Sequence, residues 1–523
     1  MENLIKTKYI LFITVLIFSI TSCDKEFLDR PPEDSFNVAD FFQTEDQVVA
    51  STNALYSVPW YDFNENTIWV FGELSSGNCR TWDPRNADFV NFAVNGNNAQ
   101  ISRTWEALFA VVAQANTIIN TLPEAVNPNV PSGVVNNALG EARFIRAVAY
   151  FYIVRIWGSV PIIENNADIV LEPKIARNPV EDIYRFIRED LEFAVANCYP
   201  KIRGANYAEN ARVSSGSAKA MLAKIYLYER NYQMAYQLAD EVINSGEFKL
   251  FGGDGADGDS SGSYFDLFIP ENDNNPESIF ALQWTSSSRY SEGNGLQSLL
   301  APSGFTGGSD GYSAIGISPD LLQAYEAGDL RFYATFMERN AFYPNLNGGY
   351  VVPDNIDFQG TRHGIKKYVV GADYAIARDD GSGITSTPNN TYILRYGELL
   401  LIHAEAALNG GGPVSSGVES FNKIRRRAGL PEIANPTLDD VFHERRIELA
   451  MEFEFWYDVV RQDPATAIAF LSNTDRGTYN SDTGELQSEF FQATMDDLLF
   501  PYPTVETQNN PALLEAPVPY DFK

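Results

Sequence analysis

The chain has 523 residues and a formal net charge of −31, from 38 Lys and Arg against 69 Asp and Glu. A surplus of that size repels phosphate backbones and anionic headgroups, which disfavours nucleic acid as a partner. Three cysteines are too few for a disulfide framework, whereas 13% aromatic residues suffices for both a large core and exposed stacking faces.

Lys6 and Lys8 precede an apolar run from Tyr9 to Ile20, which leads into Ile20-Thr21-Ser22-Cys23. The run is shorter than the roughly 20 residues a membrane-spanning helix needs, so it predicts a cleaved signal peptide over 1–22. Small residues before Cys23 resemble a bacterial lipobox, making Cys23 the expected lipidated terminus, stably anchored by several acyl chains. Asp24-Lys25-Glu26 resembles the export stub of surface lipoproteins in Bacteroidetes-type bacteria. Residues 23–45, with Pro31-Pro32, read as a tether, and 46–523 as a single domain without a further membrane-spanning segment.

A first helix is expected over 44–57. Helical spacing recurs over 102–121, 138–157, 180–197, 217–250, 392–409, 414–428 and 437–462. Within 217–250, Leu222, Ala223, Tyr226 and Ala235 match tetratricopeptide spacing around a turn at Glu229-Arg230-Asn231. The last of these stretches would carry Phe442, Leu449, Phe453, Trp456 and Val460 on one stripe of a single helix. Paired as antiparallel hairpins, these helices would stack into a solenoid. Between the halves, residues 251–391 are rich in Gly, Ser, Asp and Asn, with β-like runs at Ser278 to Trp284 and Lys366 to Val370. The fold class is mainly α, a tetratricopeptide-like helical repeat scaffold with an inserted loop-rich irregular region containing short β-strands. Loops that long are usually functional or disordered, and the aromatics in this one point to function.

Several blocks recur in a fixed order: Phe27-Leu-Asp-Arg-Pro-Pro, Glu141-Ala-Arg-Phe-Ile-Arg, Ala220-Met-Leu-Ala-Lys-Ile-Tyr, Leu394-Arg-Tyr-Gly-Glu-Leu, Phe421-Asn-Lys-Ile-Arg-Arg-Arg, Glu444-Arg-Arg-Ile-Glu-Leu and Asn509-Asn-Pro-Ala-Leu. Together with the lipobox, this ordered set resembles the SusD/RagB-like outer-membrane nutrient-binding lipoproteins over nearly the whole mature chain. The resemblance implies a lid on a SusC-like TonB-dependent transporter barrel, at the cell outer membrane and facing the exterior. It further implies capture of oligosaccharides, or as in some relatives of peptides, without any chemistry performed by the protein itself. One departure is Ser75-Ser76-Gly77-Asn78, which lacks the Asp that many relatives carry after the Ser pair.

Sugar recognition needs flat aromatic faces and planar polar side chains. Trp82 with Asn78, Arg80, Asp83 and Arg85 supplies both, in the loop where the family commonly builds its glycan platform. In the variable region, Tyr290 and Tyr312 lie in Gly/Ser-rich loops and are the better candidates, while Trp284 reads as core and Phe305 is a lesser candidate. Asp257-Gly-Asp259-Ser-Ser261-Gly262 imitates half a calcium loop, but its twelfth position is Phe268 rather than Glu, so no metal is expected. His363, His403 and His443 have no ligand spacing, no nucleophile or phosphate-loop motif is present, and no cofactor is implied. Two carboxylates at hydrolase spacing cannot be read from 69 acids, so a surface glycoside hydrolase and a purely structural adaptor stay open as alternatives. Cys79 and Cys198 could pair, and the runs Arg425-Arg426-Arg427 and Arg445-Arg446 read as ion-paired within their own helices.

Overall fold

Short polar side chains and prolines set where the long helices start. A computed structural model describes residues 41–252, 264–306, 310–480 and 483–522. Cys23, most of the tether and the Asp257–Gly262 motif lie outside the described residues. In α1 (Ala99–Ala125), α4 (Ser215–Tyr228) and α5 (Tyr232–Ser245), the side chains of Asn98, Ser214 and Asn231 accept the first free backbone N–H groups. Pro131, Pro179 and Pro413 stand immediately before α2 (Ser132–Trp157), α3 (Val180–Asn197) and α7 (Val414–Arg427). Thr437 and Asp440 close a capping box on α8 (Leu438–Glu448), and α6 spans Tyr396–Leu408.

From α1 to α6 each of these helices packs on the next, ending with α6 on α7, and α8 returns against α6. This is the tetratricopeptide-like stack expected from the spacing, including the turn at 229–231, where Arg230 adopts a left-handed φ of 58°. The apolar faces merge with the irregular region in one main core that runs from Leu55 to Leu513. Among the described residues, no helix is long and apolar enough to cross a membrane.

The structure corrects several expectations. The segment 44–57 is helical only over Glu45–Ser51, and 3-10 and π-helical turns follow through Leu74. The expected helix 392–409 begins as a strand, Thr391–Arg395, paired antiparallel with Ser278–Leu282. Lys366 to Val370 is not a strand; the ladder is His363–Ile365 on Phe336–Glu338. Helix 437–462 is broken after Glu448, because Met451 and Phe453 take left-handed backbone angles before a short helix resumes at Phe455–Val460. The single aromatic stripe through Phe442 and Trp456 therefore does not exist as one helix face. Cys79 and Cys198 are both free and buried.

The basic runs are structural: Arg426 pairs with Glu419 within α7 (2.6 Å), as expected, but their other partners lie on other elements. Arg427 binds Glu277 and Glu448, Arg425 binds Glu326 and Glu444, and Arg445 binds Glu398 and Asp458 across elements. Lys367 and Arg395 reach Glu452 at 2.7 Å, inside the break. On the far side of the break, the Phe453 N–H donates to Glu73 (2.9 Å), which seats the backbone of Phe453 on Gly72.

Two measurements test this frame. A Cβ at position 72 would lie 2.2 Å from the Phe453 carbonyl oxygen, so Gly72→Ala should lower unfolding free energy by about 3 kcal/mol, the upper end for overpacking. An unchanged denaturant midpoint would mean the two backbones separate freely. His403 on α6 stacks on Tyr236 of α5 and faces Ser420, Asp240 and Lys423. Burial pushes its imidazole from 6.5 down to about 4 despite Asp240. Between those values the unfolded chain binds a proton on this ring and the folded chain does not, so stability is lost as pH falls from 6.5 toward 4. His403→Phe should reduce that loss in urea titrations at pH 7 and 5 relative to wild type, leaving the parts due to His363 and His443, whose ring pKa values burial lowers in the same way, and the opposing part due to Glu73, whose carboxyl burial raises to about 7.

Candidate functional site

The turns after Leu74 lead into strand Cys79–Arg80, which pairs antiparallel with Gly316–Ile317. That ladder joins the two stretches in which the sequence places its aromatic candidates. Beyond it, Thr81 Oγ1 donates to the Ala314 carbonyl (2.8 Å), and the Tyr312 N–H donates to Ser298 (3.0 Å). The Trp82 N–H donates to Gln359 Oε1 at 2.7 Å, and Gln359 Nε2 donates to the Ser313 carbonyl at 2.7 Å. Trp82 and Tyr312 thus project from two loops tied to each other.

Trp82 is 57% exposed, whereas the other six tryptophans of the chain are buried. The Arg80 guanidinium lies 4.0 Å from its ring centroid and covers one face. Arg80 is itself held by the carbonyls of Arg476 (3.1 Å) and Gln359 (2.9 Å), and burial lowers its pKa. Gly360, at φ +76°, passes so close that a Cβ there would be 2.9 Å from Trp82 Cζ2. Only the remaining face of the indole is free to stack. Beside it, Asp83 pairs with the exposed Arg85 at 2.6 Å, and this hydrogen-bonded guanidinium holds the carboxyl below its usual range.

Asn78 is fully buried. Its Nδ2 donates to Glu73 Oε2 (2.8 Å) and its Oδ1 accepts from Arg446 Nε (2.9 Å), so both ends of the amide are spent on internal partners. Burial raises the Glu73 carboxyl to about 7. Asn78 therefore sits behind the candidate face and presents no free polar group to a ligand, and the buried Arg80 backs the indole with its Nη2 3.7 Å from Glu489. Tyr312 and Tyr290 are 46% and 50% exposed. Tyr290 has its own partners: its hydroxyl donates to Asp62 Oδ1 (2.8 Å) and its ring stands edge-on to Tyr61 at 4.5 Å. Partial burial and Asp62 push that hydroxyl's pKa up. Trp284 and Phe305 are core residues.

Gln359 and Gly360 are absent from the sequence reading. A Gln-Gly pair in a loop signals a turn and nothing about a tryptophan 277 positions away. Among the described residues, no group of three or more His, Cys, Asp or Glu could hold a metal. A cavity of about 270 Å³ lies apart from this face, between the helices, lined by Tyr228, Arg230, Glu405, Phe442, Arg461 and Phe470. Its Arg461 is neutralised by Glu405 and Asp458.

Comparison with known proteins gives consistent matches. The model of the SusD family matches residues 276–518, and a second, described as "Starch-binding associating with outer membrane", matches residues 26–227. A SusD-like protein of Bacteroides ovatus is 33% identical over the full length of both chains. A crystal structure with a xylogluco-oligosaccharide is 32% identical, covers 91% of this chain and 99% of its own, and superposes with a TM-score of 0.76. A laminarin-binding SusD-like protein shares the fold at 24% identity and TM-score 0.72, covering 90% of this chain and 98% of its own.

The contrast between buried and exposed candidates is measurable. Asn78→Ala strands Glu73 and Arg446 and should cost about 1–3 kcal/mol of stability. Trp82→Ala, at an exposed position, should cost less than about 1 kcal/mol, mainly the stack on Arg80. Equal urea midpoints for the two variants would contradict this assignment of roles.

Proposed function

The chain belongs to the SusD family, and on that premise we propose that it is a surface glycan-binding lipoprotein that captures oligosaccharides for uptake. The observation that carries this reading is Trp82, a single exposed indole with one face closed by Arg80 and the other open. The C–H face of a pyranose packs on such a ring, and its adjacent hydroxyls pair with planar polar groups. Asp83 and Arg85 stand beside the ring for that purpose, and Tyr312 and Tyr290 offer further exposed faces ending in hydroxyls. The relative bound to a xylogluco-oligosaccharide supports a neutral glycan as ligand, and the net charge of −31 disfavours a polyanionic one.

In this reading Cys23 is lipidated, residues 23–45 tether the single body 46–523 to the outer face of the outer membrane, and the glycan passes to a SusC-like TonB-dependent transporter. Capture and release make and break no covalent bond, so neither catalytic residues nor a cofactor is required.

The test is calorimetric titration of the full chain in detergent with neutral oligosaccharides, uronate-containing oligosaccharides and peptides. A neutral glycan should bind, and Trp82→Ala should cost roughly 2 kcal/mol or more of affinity, about 30-fold, as expected for an aromatic anchor. Tyr312→Ala should cost less. Binding of peptides alone would replace the glycan by a peptide ligand, and full affinity in Trp82→Ala would remove the indole from the site.

A further inference from the structure

Gln359 holds a left-handed backbone angle, φ +58°, and is followed by Gly360 at +76°. Residues other than Gly, Asn and Asp are uncommon there, because the Cβ crowds the carbonyl at a cost of roughly 1–2 kcal/mol. The backbone alone would favour glycine at 359, so the side chain has a use that offsets the strain.

Its hydrogen bonds show that use. Oε1 accepts the Trp82 N–H at 2.7 Å, Nε2 donates to the Ser313 carbonyl at 2.7 Å, and the main-chain carbonyl accepts Arg80 Nη1 at 2.9 Å. One residue thereby binds the loop carrying Trp82, the residue after Tyr312, and the guanidinium that backs the indole. The two side-chain partners are a backbone donor and a backbone acceptor, so only an amide in this orientation satisfies both, and a carboxylate could not donate to Ser313. Ser313 is fixed in turn by its N–H on Ala301 (3.1 Å), with a φ of +42°.

We propose that Gln359 is the positioning residue of the ligand face, setting the spacing and tilt of Trp82 relative to Tyr312 and hence which oligosaccharides fit across both rings. This rests on the glycan-binding reading, with Gln359 acting through the two rings.

Gln359→Gly separates this role from a general structural one, since glycine accepts the left-handed angle and only the side-chain bracket is lost. The melting temperature of the full chain should stay within about 2 °C of wild type. Affinity for the neutral oligosaccharide bound by wild type should fall about 3- to 10-fold, the loss of two hydrogen bonds' worth of ordering. Gln359→Glu, which keeps the acceptor but not the donor, should show the same direction. Because Trp82 is the one exposed tryptophan, acrylamide quenching reports on it, and quenching should rise in Gln359→Gly as the indole loosens from Arg80. Unchanged affinity and unchanged quenching in Gln359→Gly would overturn the proposal, even where Trp82→Ala abolishes binding. Absence of glycan binding by wild type would sink the functional reading instead, and the quenching comparison would still decide whether Gln359 positions the ring.

Discussion

Everything in this structure is arranged around a buried ionic cluster centred on Glu448. Its carboxylate binds Arg331, Arg395 and Arg427, while Arg395 also reaches Glu277 and Glu452, and Glu452 binds Lys367. All are buried. Burial alone would raise the Glu448 pKa, yet the three guanidiniums hold it far below the usual carboxylate range. Such a cluster need not stabilise more than an apolar core would, but losing one partner leaves an uncompensated charge at a cost of about 3–5 kcal/mol. It therefore specifies one arrangement, because its members come from the irregular region, from the strand Thr391–Arg395, from α7, from the end of α8 and from the turn after it.

That arrangement reaches the ligand face through a chain of contacts. Arg395 takes the Glu448 carbonyl (2.7 Å) and both oxygens of Glu452, which accounts for the end of α8 and the turn after it. The turn sets Phe453 on Gly72 and Glu73, Glu73 holds Asn78, and Asn78 leads directly into Cys79–Arg80 and Trp82. Mobility at Trp82 would blur a stacking face, and the anchoring on Arg80, Gly360 and Gln359 limits the rearrangement needed on binding.

The helices were legible because periodicity and caps act within a few residues. Residues 180–197, 414–427 and the turn at 229–231 are where spacing and punctuation place them. The misread segments share one cause. Residues 437–462 have helical spacing throughout, but charges from Lys367 and Arg395 claim Glu452, and no local rule registers a partner so far away. Residues 391–395 likewise carry helix-compatible apolar spacing and become a strand because Ser278–Leu282 lies beside them.

By itself the sequence determined the mainly α class and the family, and through the family's motif order it placed Trp82 among the candidate contacts, since composition, local period and motif order are properties of neighbouring residues; that its ring is exposed was decided by the tertiary structure. Only the tertiary structure decided that Asn78 and Arg80 face inward, that Tyr312 shares a bracket with Trp82, and that Gln359 supplies it. Those outcomes depend on which backbone donors and buried charges converge from segments hundreds of residues apart. Burial then fixes them, because an unpaired polar group in the core costs more than any local preference supplies.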